Sequence, residues 1–195
     1  MDKIGLSAKL AELYSAETVN ISKEQYATDV STAVEFLTFV DDRTRINGRT
    51  IADLGCGNGI LGIGAALLGA KNVHMYENDH KMVEMARKNT ELFGLDNCTV
   101  IEGSFFDATE NYDIVISNPP FGFQSTFNIE AFVIKSCRMG RSVFFIYKDN
   151  KGIRKLAESN GMAVESFGKI VLKRTARFHK KDKYYLPISV VYKSE

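Results

Sequence analysis

Residues 113–122 read Asp-Ile-Val-Ile-Ser-Asn-Pro-Pro-Phe-Gly, an order of residue types suited to holding an amine. Ile114, Val115 and Ile116 form the short apolar run of a fully buried parallel strand, and Asn118, Pro119, Pro120 and Phe121 follow at its carboxyl end. Ligands of open α/β sheets sit at that end. The two prolines fix φ twice and offer no N–H, which makes the tetrad rigid. The Asn118 carboxamide and the Pro119 carbonyl then present two acceptors, and a planar NH2 group has two donors to match them. The Phe121 ring can lie against a flat substrate. A strand ending in a proline-rich turn would show the same residues, so a reactive cofactor upstream is what would give the tetrad its chemistry.

A candidate for that cofactor site spans residues 49–61, Arg-Thr-Ile-Ala-Asp-Leu-Gly-Cys-Gly-Asn-Gly-Ile-Leu. A strand runs into Gly55, Gly57 and Gly59, with Asp53 ahead of them and a helix over about 60–68 behind. Glycines permit tight turning and close approach of a ligand, and a helix start offers free N–H groups. Glu77 ends the next strand 18 residues beyond Gly59, where an acid can accept the hydroxyls of a ribose. A nicotinamide dehydrogenase would carry Gly-x-Gly-x-x-Gly instead, and it would have no use for the proline tetrad.

These residues need a scaffold to bring them together. Residues 2–14 have a loosely helical pattern, and Thr28 or Asp29 can cap a helix over about 29–40. Strands are expected over 73–77, 98–102 and 142–147, with helices over 80–93, 127–139 and 153–159. Alternation of β and α from 49 to about 160 argues for a parallel, doubly wound sheet. Residues 163–173 and 184–193 break the alternation and suggest an antiparallel hairpin, whose connection is rich in Lys and Arg. That connection suits a solvated loop or contact with phosphate. His74 and His80 are expected at the surface, without a catalytic role.

Composition narrows the class. The 195 residues are 45% hydrophobic and carry a net charge of +1, which fits one domain with an ordinary core and no global field for nucleic acid or membrane. No apolar run approaches a membrane span and no signal peptide opens the chain. Cys56, Cys98 and Cys137 are widely spaced, which argues against a zinc site and suits a reducing cytoplasm.

The segment Asp53-Leu-Gly-Cys-Gly-Asn-Gly resembles the cofactor motif of class I methyltransferases, which use S-adenosyl-L-methionine, and Asn118-Pro-Pro-Phe resembles the tetrad of their amino-methylating branch. Gln25-Tyr26-x-Thr28, Asn118-Pro-Pro-Phe-Gly122 and Phe178-His179-Lys180-Lys181 occur in this order, which is similar to the methyltransferase-like protein 5 family. Those archaeal and eukaryotic enzymes methylate N6 of an adenosine in small-subunit ribosomal RNA. The resemblance covers nearly the whole chain.

It implies a single α/β domain, a mostly parallel seven-stranded sheet with a C-terminal hairpin. Residues 1–45 would form a helical cap over the cofactor site, 49–160 the cofactor-binding core and 161–195 the hairpin with its basic loop. It further implies that Gln25, Tyr26 and Thr28 reach over the cofactor, and that Gly55, Gly57, Asn58, Gly59, Ile60 and Leu61 meet its methionine end. Glu77 would hold the ribose, and Ser104 with Phe105 would flank the adenine. Asn118 and the tetrad would act on the amine, with Phe121 stacked on the base and Gly122 beside it; Phe178, His179, Lys180 and Lys181 would meet flanking RNA. Glu77 and Ser104 both stand where an aspartate is common. The product would be S-adenosyl-L-homocysteine, and the family implies a small zinc-containing activator paired along a sheet edge, for which strand 98–102 is a natural template.

Rival readings use the same tetrad. Protein glutamine N5-methyltransferases more often carry Tyr in fourth place and a larger amino-terminal domain. Guanine-N2 and DNA-amine enzymes, or a non-catalytic RNA-binding or scaffold subunit with this fold, are the others.

Overall fold

The computed structural model describes residues 1–14, 28–121, 127–173 and 183–195. Two helices open the chain, α1 (Lys3–Leu10) and α2 (Val30–Thr44). The alternating part follows as β1 (Thr50–Leu54), α3 (Ile60–Leu67), β2 (Asn72–Glu77), α4 (His80–Leu92), β3 (Cys98–Glu102) and β4 (Tyr112–Ser117). Then come α5 (Ile129–Met139), β5 (Gly140–Lys148), α6 (Lys151–Ser159), β6 (Ala163–Lys173) and β7 (Lys183–Lys193). The strands form one sheet of order β3-β2-β1-β4-β5-β7-β6. Strands β1 to β5 pair in parallel, and β7 runs antiparallel between β5 and β6.

Local chemistry explains most boundaries. The side chains of Asp29, Asp79, Asn128 and Asn150 each accept a backbone N–H of the first turn of α2, α4, α5 and α6, supplying a partner to donors that a helix start leaves orphaned. Ile114, Val115 and Ile116 are buried on both faces of the sheet, as an unalternating apolar run requires. Helix α3 is apolar almost all round because it lies between the sheet and α1 and α2. Gly64 on α3 admits the Leu37 side chain of α2 into space that a Cβ would fill.

Three expectations change. Helix α2 runs to Thr44 rather than 40, its end tied down by Arg43, which bonds Glu165 through one nitrogen at 3.0 Å to each carboxylate oxygen and lies 3.5 Å over the Phe39 ring. Strand β5 begins at Gly140, before the apolar run, because a residue without Cβ fits against Val115 of β4. The alternation also has a gap. Between β3 and β4 stands only a 3-10 turn (Phe105–Asp107), since the few residues connecting these parallel strands are too short for a packed helix.

The hairpin reaches past the sheet. The last β5–β7 pair is Lys148 with Ile188, whereas β6–β7 pairing continues to Lys173 with Lys183. At about 3.3 Å per residue, the arm extends roughly 17 Å beyond the carboxyl end of β5. Among the described residues, no helix is long and apolar enough to cross a membrane.

Candidate active site

Strands β1 and β4 are neighbours, so the glycine turn after β1 and the tetrad after β4 leave the sheet side by side. Gly55, Gly57 and Gly59 all have positive φ, at 73°, 57° and 88°. That backbone is strained for any residue with a Cβ. A Cβ on Gly55 or Gly57 would meet nothing within 4 Å, so these two border open space that a ligand can enter.

The turn is fastened to β2. Gly55 and Cys56 donate their N–H groups to the Tyr76 carbonyl at 2.9 and 3.0 Å. Gly57 donates to Glu77 Oε2 at 2.9 Å, and Asn78 and Asp79 donate to Oε1 at 2.8 and 2.9 Å. A carboxylate offers about four lone-pair positions. Three are engaged by the backbone, which leaves one for a further donor.

Asp53 lies beneath the same turn, fully buried, with Oδ2 accepting from the Gly62 N–H at 2.9 Å and Oδ1 left without a partner. Burial pushes its carboxyl up to about 7; the Gly62 N–H opposes this and the Glu77 charge adds to it. Asn58 accepts the Ile60 N–H at 3.3 Å and donates to the Tyr14 carbonyl at 3.1 Å, while Ile60 and Leu61 are buried at the start of α3.

On the tetrad side, Asn118 Nδ2–H donates to the Thr28 hydroxyl at 2.8 Å. Asn118 Oδ1 is buried and has no hydrogen-bond partner among the described residues. An orphaned buried acceptor is costly, and the next molecule able to satisfy it is a donor entering from the ligand side. Pro119 is buried and Pro120 half-buried. Phe121 is only 4% exposed, its ring edge to face with Tyr147 at 5.6 Å between centroids, and its carbonyl accepts from the Tyr147 hydroxyl at 3.2 Å. The Phe121 side chain thus packs against Tyr147 beside the site.

Thr28, Asp53, Gly55, Gly57, Asn58, Gly59, Glu77 and Asn118 therefore gather at one edge. Thr28 meets Asn118 there. Ser104 caps the 3-10 turn, its Oγ accepting from the Phe106 N–H at 3.2 Å, and the Phe105 ring packs against Phe106 and Phe132. His80 is exposed beside Glu102, but His74 is half-buried, with Nδ1 2.8 Å from the Tyr112 hydroxyl, and is not a plain surface residue. Gln25, Tyr26, Gly122, Phe178, His179, Lys180 and Lys181 lie outside the described residues.

Sequence reasoning missed Asn89. It is fully buried on α4, accepts from the Tyr14 N–H at 2.8 Å, and donates to the Tyr14 carbonyl at 3.0 Å and the Asn58 carbonyl at 2.8 Å. It thereby joins the amino-terminal segment to the glycine turn. Its signal was present: Asn89 falls in the buried register of Val83 and Ala86, where a polar side chain needs partners.

A family model described as the methyltransferase small domain matches residues 22–139. The chain is 31% identical over 189 residues to the rRNA N(6)-adenosine-methyltransferase METTL5 of Danio rerio, covering 90% of each. It is 26% identical to rRNA N(6)-adenosine-methyltransferase metl-5 of Caenorhabditis elegans, over 94% of this chain and 93% of that one. A crystal structure of a proposed RNA methyltransferase from Pyrococcus horikoshii superposes with a TM-score of 0.85 and 29% identity, over 98% of this chain and 97% of that one.

Proposed function

The chain belongs to the methyltransferase small domain family, and from that membership and the site we propose that it methylates the exocyclic N6 amine of an adenosine in RNA, with small-subunit ribosomal RNA as substrate. One observation carries the amine: Asn118 Oδ1, a buried acceptor without a donor, stands on the strand next to the glycine turn.

The residues fit S-adenosyl-L-methionine. The positive-φ turn at Gly55 and Gly57 opens onto free space, Glu77 retains acceptor capacity for a ribose, and the buried Asp53 Oδ1 awaits a partner. When bound, this cofactor supplies an electrophilic methyl group and leaves as S-adenosyl-L-homocysteine.

The rest is the work of the chain's own residues. An adenine amine is a poor nucleophile because its lone pair is delocalised into the ring. Acceptance of its N–H hydrogens at Asn118 Oδ1 and the Pro119 carbonyl favours a more tetrahedral nitrogen whose lone pair faces the glycine turn. The gain is preorganisation and orientation, with one well-placed group worth roughly 3 kcal/mol. Thr28 engages the carboxamide nitrogen, which leaves the oxygen for the amine. No general base is needed, because the methylated amine readily loses its proton to water.

The β6–β7 pairing reaches Lys173 with Lys183 beyond the carboxyl edge of β5, and the residues joining them in sequence include Lys180 and Lys181, which would contact RNA phosphates. Segment 1–45 would act as the cap over the cofactor edge, a role supported by the Thr28 contact with Asn118. Strand β3 is an outer strand of the sheet and flanks the exposed Phe106 and Leu92, a suitable template for a small zinc-containing activator to add a strand. We place the reaction in the cytoplasm, in keeping with three unpaired thiols.

The test is a transfer assay with isotopically labelled S-adenosyl-L-methionine, offering ribosomal RNA, DNA and protein as acceptors, followed by digestion to nucleosides and amino acids. N6-methyladenosine from RNA is expected. Label in N5-methylglutamine, in DNA or in no acceptor would overturn the reading.

A further inference from the structure

Two of the four tetrad residues supply no backbone donor. Pro119 and Pro120 have no N–H, and β4 pairing with β5 ends at Ser117 with Phe145. Asn118 must nevertheless stay at a set distance from the glycine turn, since small misplacements of reacting groups are costly. Something outside the tetrad has to hold it.

Two buried hydroxyls do so, one at each end. Ser117 Oγ donates to the Leu54 carbonyl at 2.6 Å. Leu54 is the last residue of β1 and precedes Gly55, while the backbone register between β1 and β4 runs only as far as Asp53 with Ile116. The Ser117 hydroxyl therefore extends the tie between the cofactor strand and the tetrad strand by one residue. At the other end, the Tyr147 hydroxyl donates to the Phe121 carbonyl at 3.2 Å, with its ring against the Phe121 ring. Tyr147 lies on β5, two residues beyond the partner of Ser117. Ser117 is fully buried and Tyr147 nearly so, and water does not compete for either bond.

We propose that Ser117 and Tyr147 are positioning residues that bracket the tetrad, Ser117 setting it against the glycine turn and Tyr147 fixing its exit. Neither touches the amine; both act through the backbone that carries Asn118 and Phe121. The inference rests on Asn118 as the amine acceptor.

Single-turnover methylation of ribosomal RNA at saturating cofactor and RNA, paired with calorimetric cofactor binding, tests it. Ser117→Ala and Tyr147→Phe should each slow the methyl-transfer rate about tenfold, with cofactor affinity within about twofold of the parent. Ser117→Thr, which keeps the hydroxyl, should restore the rate. Tyr147→Phe keeps its ring and packing, so it carries the test should Ser117→Ala unfold. Parental rates in the variants, or rate losses matched by equal losses of cofactor affinity, overturn the bracket. If the parent chain methylates no RNA, the underlying assignment of the amine fails instead.

Discussion

Asn118 gives its Nδ2–H to the Thr28 hydroxyl at 2.8 Å and keeps its Oδ1 buried with no partner among the described residues. A carboxamide has two ends of opposite polarity, and this contact engages the nitrogen end and leaves the oxygen end to a donor. Thr28→Val removes the acceptor while preserving shape. The expected result is a fall in kcat of about tenfold, with Thr28→Ser close to the parent. Steady-state rates on ribosomal RNA check both.

Asn118→Ala deletes the acceptor itself. Loss of a preorganised group of this kind costs about 10² to 10³ in kcat. Cofactor affinity, measured by calorimetry, should stay near that of the parent. A variant that still methylates at the parent rate removes Asn118 from the mechanism.

Asp53 sets a pH dependence with a definite sign. Its folded-state value of about 7 stands above the ordinary 3.8, because burial favours the neutral form. A raised acid contributes stability that is fully present below its unfolded value and is lost as pH rises through its folded one. Asp53→Asn should abolish that contribution. The stability difference between parent and variant, from urea unfolding, should thus move against the parent between about pH 4 and pH 7. A difference that is flat across this range refutes the assignment.

Two glycines should separate strain from overpacking. Gly55 has φ of 73° and open space where a Cβ would stand, so Gly55→Ala should cost about 1–2 kcal/mol in backbone strain and weaken cofactor binding. Gly64 has ordinary φ, but a Cβ there would overlap Leu37. Gly64→Ala should cost about 1–3 kcal/mol with little effect on cofactor affinity of the folded protein. Urea unfolding and calorimetry distinguish them.

Replacing Lys180 and Lys181 by Ala should weaken RNA binding and flatten its salt dependence. Each phosphate contact with single-stranded RNA contributes about 0.7 to the slope of log affinity against log salt, so the pair should remove roughly 1.4. Filter-binding titrations over a salt series measure it, and an unchanged slope returns the loop to solvent.

What the sequence determined by itself was local. Three glycines at alternate positions after an apolar strand impose a turn that only positive φ satisfies, and Asn118-Pro119-Pro120 imposes rigidity wherever it stands. The strands and helices followed from periodicity, except where β5 began on the polar-looking Gly140-Arg141 and where the alternation lapsed at the 3-10 turn between β3 and β4. Tertiary structure alone decided the contacts that make the site work. Thr28 and Asn118 are 90 residues apart, Ser117 and Leu54 63, and Asn89 and Tyr14 75. The chain places β2 and β3 between β1 and β4, whereas the sheet places β1 and β4 together. A hydrogen bond depends on a few tenths of an ångström between atoms that strand order brings close, and residue types along one chain do not encode that distance. The same packing set the Phe121 ring against Tyr147, a contact between residues 26 apart that residue type alone does not announce.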